Sequence, residues 1–210
     1  MNIEKINPGD IEKESFRIIA AELGKHQFNA RTLAVVLRVI HATADFSFAE
    51  NLHFSPEAIE TGIRALRAGK NILCDVTMVK AGISKTLLAR WGGKVFCGVG
   101  DPAIAEEAKR RNRTRSQVAM ERLFNDSVGI VAIGNAPTAL LQIIDTVKDL
   151  PLDEAPLIIA VPVGFVNAAE SKDLLMERGH CHITSRGRKG GSPVAVAIVN
   201  ALLRLAAEEA

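Results

Sequence analysis

The chain has 210 residues and a formal net charge of +2, with 48% hydrophobic and 24% charged residues, the composition of a globular protein able to bury a sizeable core. So small a charge argues against a protein that coats nucleic acid. No apolar run reaches the ~18 residues of a membrane span, and the charged start MNIEKINPGDIEKES lacks the apolar centre of a signal peptide. Cys74, Cys97 and Cys181, without CxxC spacing, read as reduced thiols, so a cytoplasmic location is expected.

Helical periodicity comes first, over 10–23, 29–43 and 56–68. The third pattern has Ser55 as expected N-cap, Pro56 in the first turn and Gly69 as its stop. A short aliphatic run, NILCDV at 71–76, reads as a strand, and a helical pattern over 78–90 follows it to Gly92-Gly93. KVFCGV (94–99) is the next strand, and the turn after it opens a helix. GIVAIG (129–134) leads to a helix over 136–148 with Pro137 in its first turn. LIIAVPV (157–163) leads to a helix over 167–178, with Asn167 as N-cap and Gly179 as stop. A weaker strand, CHITS (181–185), precedes a helix over 193–207 that is apolar almost all round and therefore buried.

With eight Phe, one Trp and no Tyr, the core must be aliphatic. Five unalternating Val/Ile-rich runs separated by helices predict a doubly wound parallel α/β sheet in three layers. No linker or repeat interrupts the pattern, so one domain over 1–210 is expected. Ligands of such sheets sit beyond the carboxyl ends of the strands.

Within NARTLAVVLRVIHATADF, Leu33, Val36, Leu37, Ile40 and Ala44 fall on the expected core face. Arg31, Arg38, His41 and Asp45 follow at steps of 7, 3 and 4 on another stripe. A helix C-terminus favours a cation there, and Asp45 would add to that if it reaches. His41 can then hold a proton near neutral pH and deliver it, or simply cap the last carbonyls.

KRRNRTR (109–115) holds five basic residues. It reads as a solvated helix end, as a nucleic-acid contact, or as a clamp for a small polyanion, which Arg grips bidentately. No interleaved aromatics support base stacking. CGVGDPAIA (97–105) fits G-x-G-x-x-A at Gly98, Gly100 and Ala103, which would suit a nucleotide-binding oxidoreductase. Asp101 and Pro102 sit where a pyrophosphate would need bare N–H groups, and no acidic residue follows to hold a ribose. GRKGGSP (187–193) could present backbone N–H groups to a carboxylate. His180-x-His182 lacks an evident third ligand for a metal.

Seven segments in order carry a resemblance: ESF-II at 14–19, RVIHATADF at 38–46, CDVTMV at 74–79, TRS at 114–116, AIGNAPTAL at 132–140, PVGFV-AAESK at 162–172 and GRKGGS at 187–192. Together they resemble the precorrin-8X / cobalt-precorrin-8 methylmutases of cobalamin biosynthesis over nearly the whole chain. The resemblance implies an isomerase that moves a methyl group from C-11 to C-12 of a corrin precursor, giving hydrogenobyrinate or, with cobalt inserted, cobyrinate. It implies no organic cofactor and no protein-bound metal, a flavodoxin-like three-layer sheet of about five strands, and a homodimer with the site near the interface. The family's catalytic histidine falls on His41, its substrate-binding serine and arginine on Ser15 and Arg38, and its TRS arginine on Arg115. Thr77 and Arg188 lie in shared motifs and are expected to touch substrate; Thr77 could equally be a helix N-cap. The sequence around His41 and the GRKGGS loop lean towards the cobalt-bearing substrate. A flat tetrapyrrole edged with carboxylates calls for arginines and helix N-termini at its rim, and its ring for an aliphatic cleft.

Overall fold

A computed structural model describes residues 6–152 and 154–208. In chain order the elements are α1 (Ile11–Leu23), α2 (Ala30–Thr43), α3 (Phe48–Asn51), β1 (Leu52–Phe54), α4 (Ala58–Arg67), β2 (Asn71–Cys74), α5 (Thr77–Gly82), α6 (Lys85–Leu88), β3 (Val95–Phe96), α7 (Pro102–Arg110), α8 (Arg115–Leu123), β4 (Val128–Ile133), α9 (Pro137–Val147), β5 (Leu157–Ala160), α10 (Ala168–Arg178), β6 (His182–Ser185) and α11 (Ser192–Glu208). No helix among these residues is long and apolar enough to cross a membrane.

The sheet has six strands in the order β1-β6-β5-β4-β2-β3. All neighbours are parallel except β1 against β6. The expected five-stranded, flavodoxin-like parallel sheet is therefore a six-stranded mixed one. The extra strand is short: Leu52, His53 and Phe54 face Ser185, Thr184 and Ile183 at the edge. Three residues directly after a helix leave no aliphatic run to detect.

Alternate residues of the central strands feed two separate cores, as a sheet covered on both faces requires. Ile72, Ile130, Leu157 and Ile183 pack with α2, α4 and α11. Leu73, Val131 and Ile158 face the opposite layer with Leu140, Ile143 and Leu175 of α9 and α10. Pro137 starts α9 and Gly179 ends α10 in the left-handed conformation, both as expected.

Other boundaries shift for tertiary reasons. The helical pattern over 78–90 breaks at buried, extended Ile83, because Asn200 of α11 accepts the Ser84 N–H and donates to the Gly82 carbonyl. Ser55 does not cap α4: its hydroxyl accepts the His182 N–H at 2.8 Å, and Glu57 takes the N-cap with φ +58°. Asn167 holds its cap position without a side-chain bond.

From β2 the chain moves to one edge through β3 and then crosses back to β4, so strand order reverses between β2 and β4. That switch point opens a crevice at the carboxyl ends. Here it is filled from within. Asp75 is fully buried, one carboxylate oxygen accepting the N–H of Gly134 and the other those of Asn135 and Ala136, at 2.7–3.0 Å. Burial pushes its carboxyl up, opposed by those three bonds.

Candidate active site

The amino end of α2 is set by Asn29, whose side chain accepts the Thr32 N–H. Val35, Val36, Val39 and Ile40 are the buried face, so the core stripe is rotated from the expected one: Leu37 is half-buried and Ala44 exposed. Arg38 and His41 lie off that face. His41 is exposed in the last turn. Its Nδ1 is 2.8 Å from Ser15 Oγ, and its ring stacks on Phe16 with centroids 5.1 Å apart. Nε2 has no protein partner among the described residues. His41 therefore caps no carbonyl; it is braced on one side and open on the other.

Arg38 lies 5.0 Å over the Phe16 ring and donates to Glu12 at 3.1 Å. Arg204 is 3.5 Å from the same carboxylate. The Arg38 bond, aided by both cations' charge, holds the Glu12 carboxyl below its usual range despite partial desolvation. Phe16, Ala34, Leu37, Ala201 and the two arginines line a cleft of about 200 Å³. A larger groove of about 410 Å³ lies near Lys70, Val128 and Pro156, at the amino ends of the strands and away from His41.

Asp45 makes no hydrogen bond to His41. Ala44 turns left-handed (φ +52°) and ends α2, which carries Asp45 to Lys189. Lys189 donates to Asp45 at 2.7 Å and to Ser47 Oγ at 2.9 Å, and the Ser47 N–H also bonds Asp45. Lys189 first, then Ser47, lowers the Asp45 carboxyl to about 2. This pair joins the end of the His41 helix to the loop carrying Arg188.

That loop sits at the carboxyl ends of β5 and β6. The Arg188 carbonyl accepts the Gly164 N–H, and Gly191 N–H bonds Val161. The Arg188 guanidinium is 5.5 Å from the Phe165 ring. Phe165 is 84% exposed, Val166 77% and Met78 68%, so apolar surface and a cation share this end of the sheet. Thr77 is exposed beside Met78; it is the first helical residue of α5, and Val76 occupies the cap position.

Arg115 opens α8 behind a capping box of Thr114 and Gln117. Thr114 Oγ1 is 2.9 Å from Thr138 Oγ1, which brings the start of α8 to that of α9 beyond β4. The rest of the basic run divides. Arg111 bonds Glu107 and Glu121, and Arg113 bonds Glu121 and Gln142, so these two knit α7, α8 and α9 together. Arg115 is exposed, with no hydrogen bond or ion pair among the described residues. His41, Ser15 and Arg38 thus form one contact group, while Thr77, Arg115 and Arg188 stand on other elements at the carboxyl end and make no hydrogen bond or ion pair with it.

The nucleotide reading fails on geometry. A Cβ at Gly98 would lie 2.6 Å from Ile104 Cδ1 and 2.8 Å from Leu123 Cδ1, so this glycine serves helix packing. Asp101 fills the helix start itself, accepting the Ala103 N–H. In the His180-x-His182 pair, His182 bonds the His180 carbonyl and His53, and no cluster of three metal-ligating side chains occurs among the described residues. Phe16, Lys189 and the buried Lys172 went unrecognised in the sequence; their segments, ESF, AAESK and GRKGGS, were the available signal.

The family model CbiC, precorrin-8X methylmutase, matches residues 10–205. The cobalt-precorrin-8 methylmutase of Priestia megaterium is 44% identical over 202 residues, 96% of this chain and 89% of that protein. The precorrin-8X methylmutase of Pseudomonas aeruginosa is 39% identical over 204 residues, covering 95% and 97%. The crystal structure of precorrin-8X methyl mutase from Thermus thermophilus superposes with a TM-score of 0.87 at 40% identity, covering 96% of this chain and 97% of that one.

Proposed function

This chain belongs to the precorrin-8X methylmutase family, and from that premise we propose how its residues carry out the methyl shift. It is an isomerase of cobalamin biosynthesis, moving a methyl group from C-11 to C-12 of precorrin-8X or cobalt-precorrin-8. The finer assignments that follow are our reading.

His41 is the proton donor and acceptor. One observation carries this: an exposed imidazole with Nδ1 fixed by Ser15 and Nε2 without a protein partner among the described residues. With the Ser15 hydroxyl donating to Nδ1, the neutral ring keeps its hydrogen on Nε2 and can only hydrogen-bond the macrocycle near ring C; the proton itself is delivered from Nε2 of the imidazolium, leaving a neutral ring with its hydrogen on Nδ1. When the imidazole is doubly protonated, the same hydroxyl turns to accept from Nδ1. Isomerisation leaves no net proton behind, so the group that gives the proton takes it back. Phe16 holds the ring plane, and Arg38, shared with Glu12, lines the adjoining cleft.

Arg115 and Arg188 take substrate carboxylates, where exposed guanidinium groups at the carboxyl ends suit a polyanionic rim. Thr77 contacts the substrate from the start of α5. Exposed Phe165, Val166 and Met78 offer apolar surface to the flat ring. The cleft of about 200 Å³ beside His41 is small against the ~300–1,000 Å³ of ordinary ligand pockets. We therefore place the corrin across an open face that a second copy of the chain completes, as a homodimer. We place the enzyme in the cytoplasm, without organic cofactor or protein-bound metal, and favour the cobalt-bearing substrate; the name of the Priestia relative supports that form, while those of the Pseudomonas and Thermus proteins carry the metal-free one.

The test is an absorbance time course with precorrin-8X and cobalt-precorrin-8 supplied separately after exhaustive chelation. Faster conversion of the cobalt form is expected. Conversion of neither form removes the reaction, and preference for the metal-free form removes the cobalt assignment.

A further inference from the structure

Lys172, on α10, is fully buried, yet no carboxylate bonds it among the described residues. Its Nζ donates to the Lys189 carbonyl at 2.9 Å and to Ser185 Oγ at 3.3 Å. Ser185 Oγ donates to the same Lys189 carbonyl at 2.7 Å, closing a triangle under the loop after β6. The Lys189 side chain, pointing the other way, reaches Asp45 and Ser47 at the end of the His41 helix. The next carbonyl back, that of Arg188, is held by Gly164. A continuous chain of bonds thus runs from the buried amine, through the loop that carries Arg188, to the turn after His41.

Burying an ammonium without a counterion is costly, and an apolar side chain of similar size is commonly neutral or stabilising in such a place. Burial pushes the Lys172 amine down to about 8, the nearby charge of Asp173 opposing it. What a lysine adds here over an apolar side chain is its bonds to the Lys189 carbonyl and to Ser185.

We propose that Lys172 is a positioning residue, its buried amine holding the backbone of residues 185–189 so that Arg188 meets the substrate's carboxylates. The inference rests on the methylmutase reading for the substrate and on geometry alone for the loop. Lys172 touches neither substrate nor reacting atoms. It acts through Arg188 on binding, and so on KM more than on kcat.

The experiment uses Lys172→Met, which keeps the volume, and Ser185→Ala, which removes one acceptor of the amine and one donor to the Lys189 carbonyl and leaves the charge. For each, hydrogen exchange over 185–191 is measured in the free protein, with Tm and steady-state kinetics on the preferred corrin substrate. Lys172→Met should exchange faster in the loop, keep or raise its Tm, and raise KM about tenfold with kcat within about threefold. Ser185→Ala should move KM the same way by a smaller factor, and Lys172→Leu takes the place of Lys172→Met if the latter does not fold. Unchanged loop exchange in the variants overturns the proposal whatever the kinetics. A lowered Tm with unchanged KM overturns it in favour of a structural lysine. If the wild-type protein converts no corrin substrate, the methylmutase reading fails and takes the carboxylate role of Arg188 with it, and loop exchange still decides whether Lys172 holds the backbone.

Discussion

Ser15 Oγ lies 2.8 Å from His41 Nδ1, a contact between α1 and α2 across 26 residues of sequence. It fixes which ring nitrogen faces outward, because a histidine nitrogen bonded on one side leaves the other for chemistry. Replacing Ser15 by Ala should therefore lower kcat about tenfold with KM little changed, since the imidazole stays but its orientation loosens. Steady-state kinetics on the variant checks this; a wild-type kcat would show that Phe16 stacking alone orients the ring.

The Asp45–Lys189 pair sets a pH dependence of stability. Its carboxyl sits at about 2 in the folded protein, below the ordinary value of 3.8. A lowered folded value means the contribution is complete above the ordinary value and is lost as pH falls towards about 2. Asp45→Asn should lower Tm at neutral pH and lose less Tm than the wild type between pH 4 and 2. Parallel acid limbs in a thermal melt series would contradict the pairing.

Asp75 accepts three backbone N–H groups at the switch point. Asparagine supplies one acceptor oxygen and turns an NH₂ towards the remaining donors. Asp75→Asn should cost about 2–4 kcal/mol in urea unfolding, as buried donors lose their partner. An unchanged midpoint would mean that the 134–136 loop is held by other contacts.

Gly190 lies against the carbonyl of Val161, which a Cβ at that position would overlap. Backbone cannot yield as a side chain does, so Gly190→Ala should displace the Arg188 loop and raise KM about tenfold with a smaller effect on kcat. Kinetics with the corrin substrate read this directly.

The sequence carried what is local. Aliphatic runs marked the parallel strands, Pro137 and Gly179 marked helix ends, and the spacing of Arg38 and His41 set them off the core face. The ESF and RVIHATADF segments hold Ser15 and His41, which the fold brings into contact. What stayed hidden depends on distant partners. Asn200 breaks the helix at 83–84 from 116 residues away, and Lys189 draws Asp45 from His41 across 144 residues. The role of Lys172 was invisible because a lysine in a helical pattern reads as solvated surface until its burial is seen.

The methyl shift, as proposed, depends on a proton moved by the His41 imidazole. Single-turnover absorbance with His41→Ala and His41→Gln, each with corrin affinity measured in parallel, tests it most directly. Rates should fall by about 10²–10⁴ while affinity stays within about tenfold. Turnover within about threefold of wild type in either variant would contradict the claim and move the proton to another group.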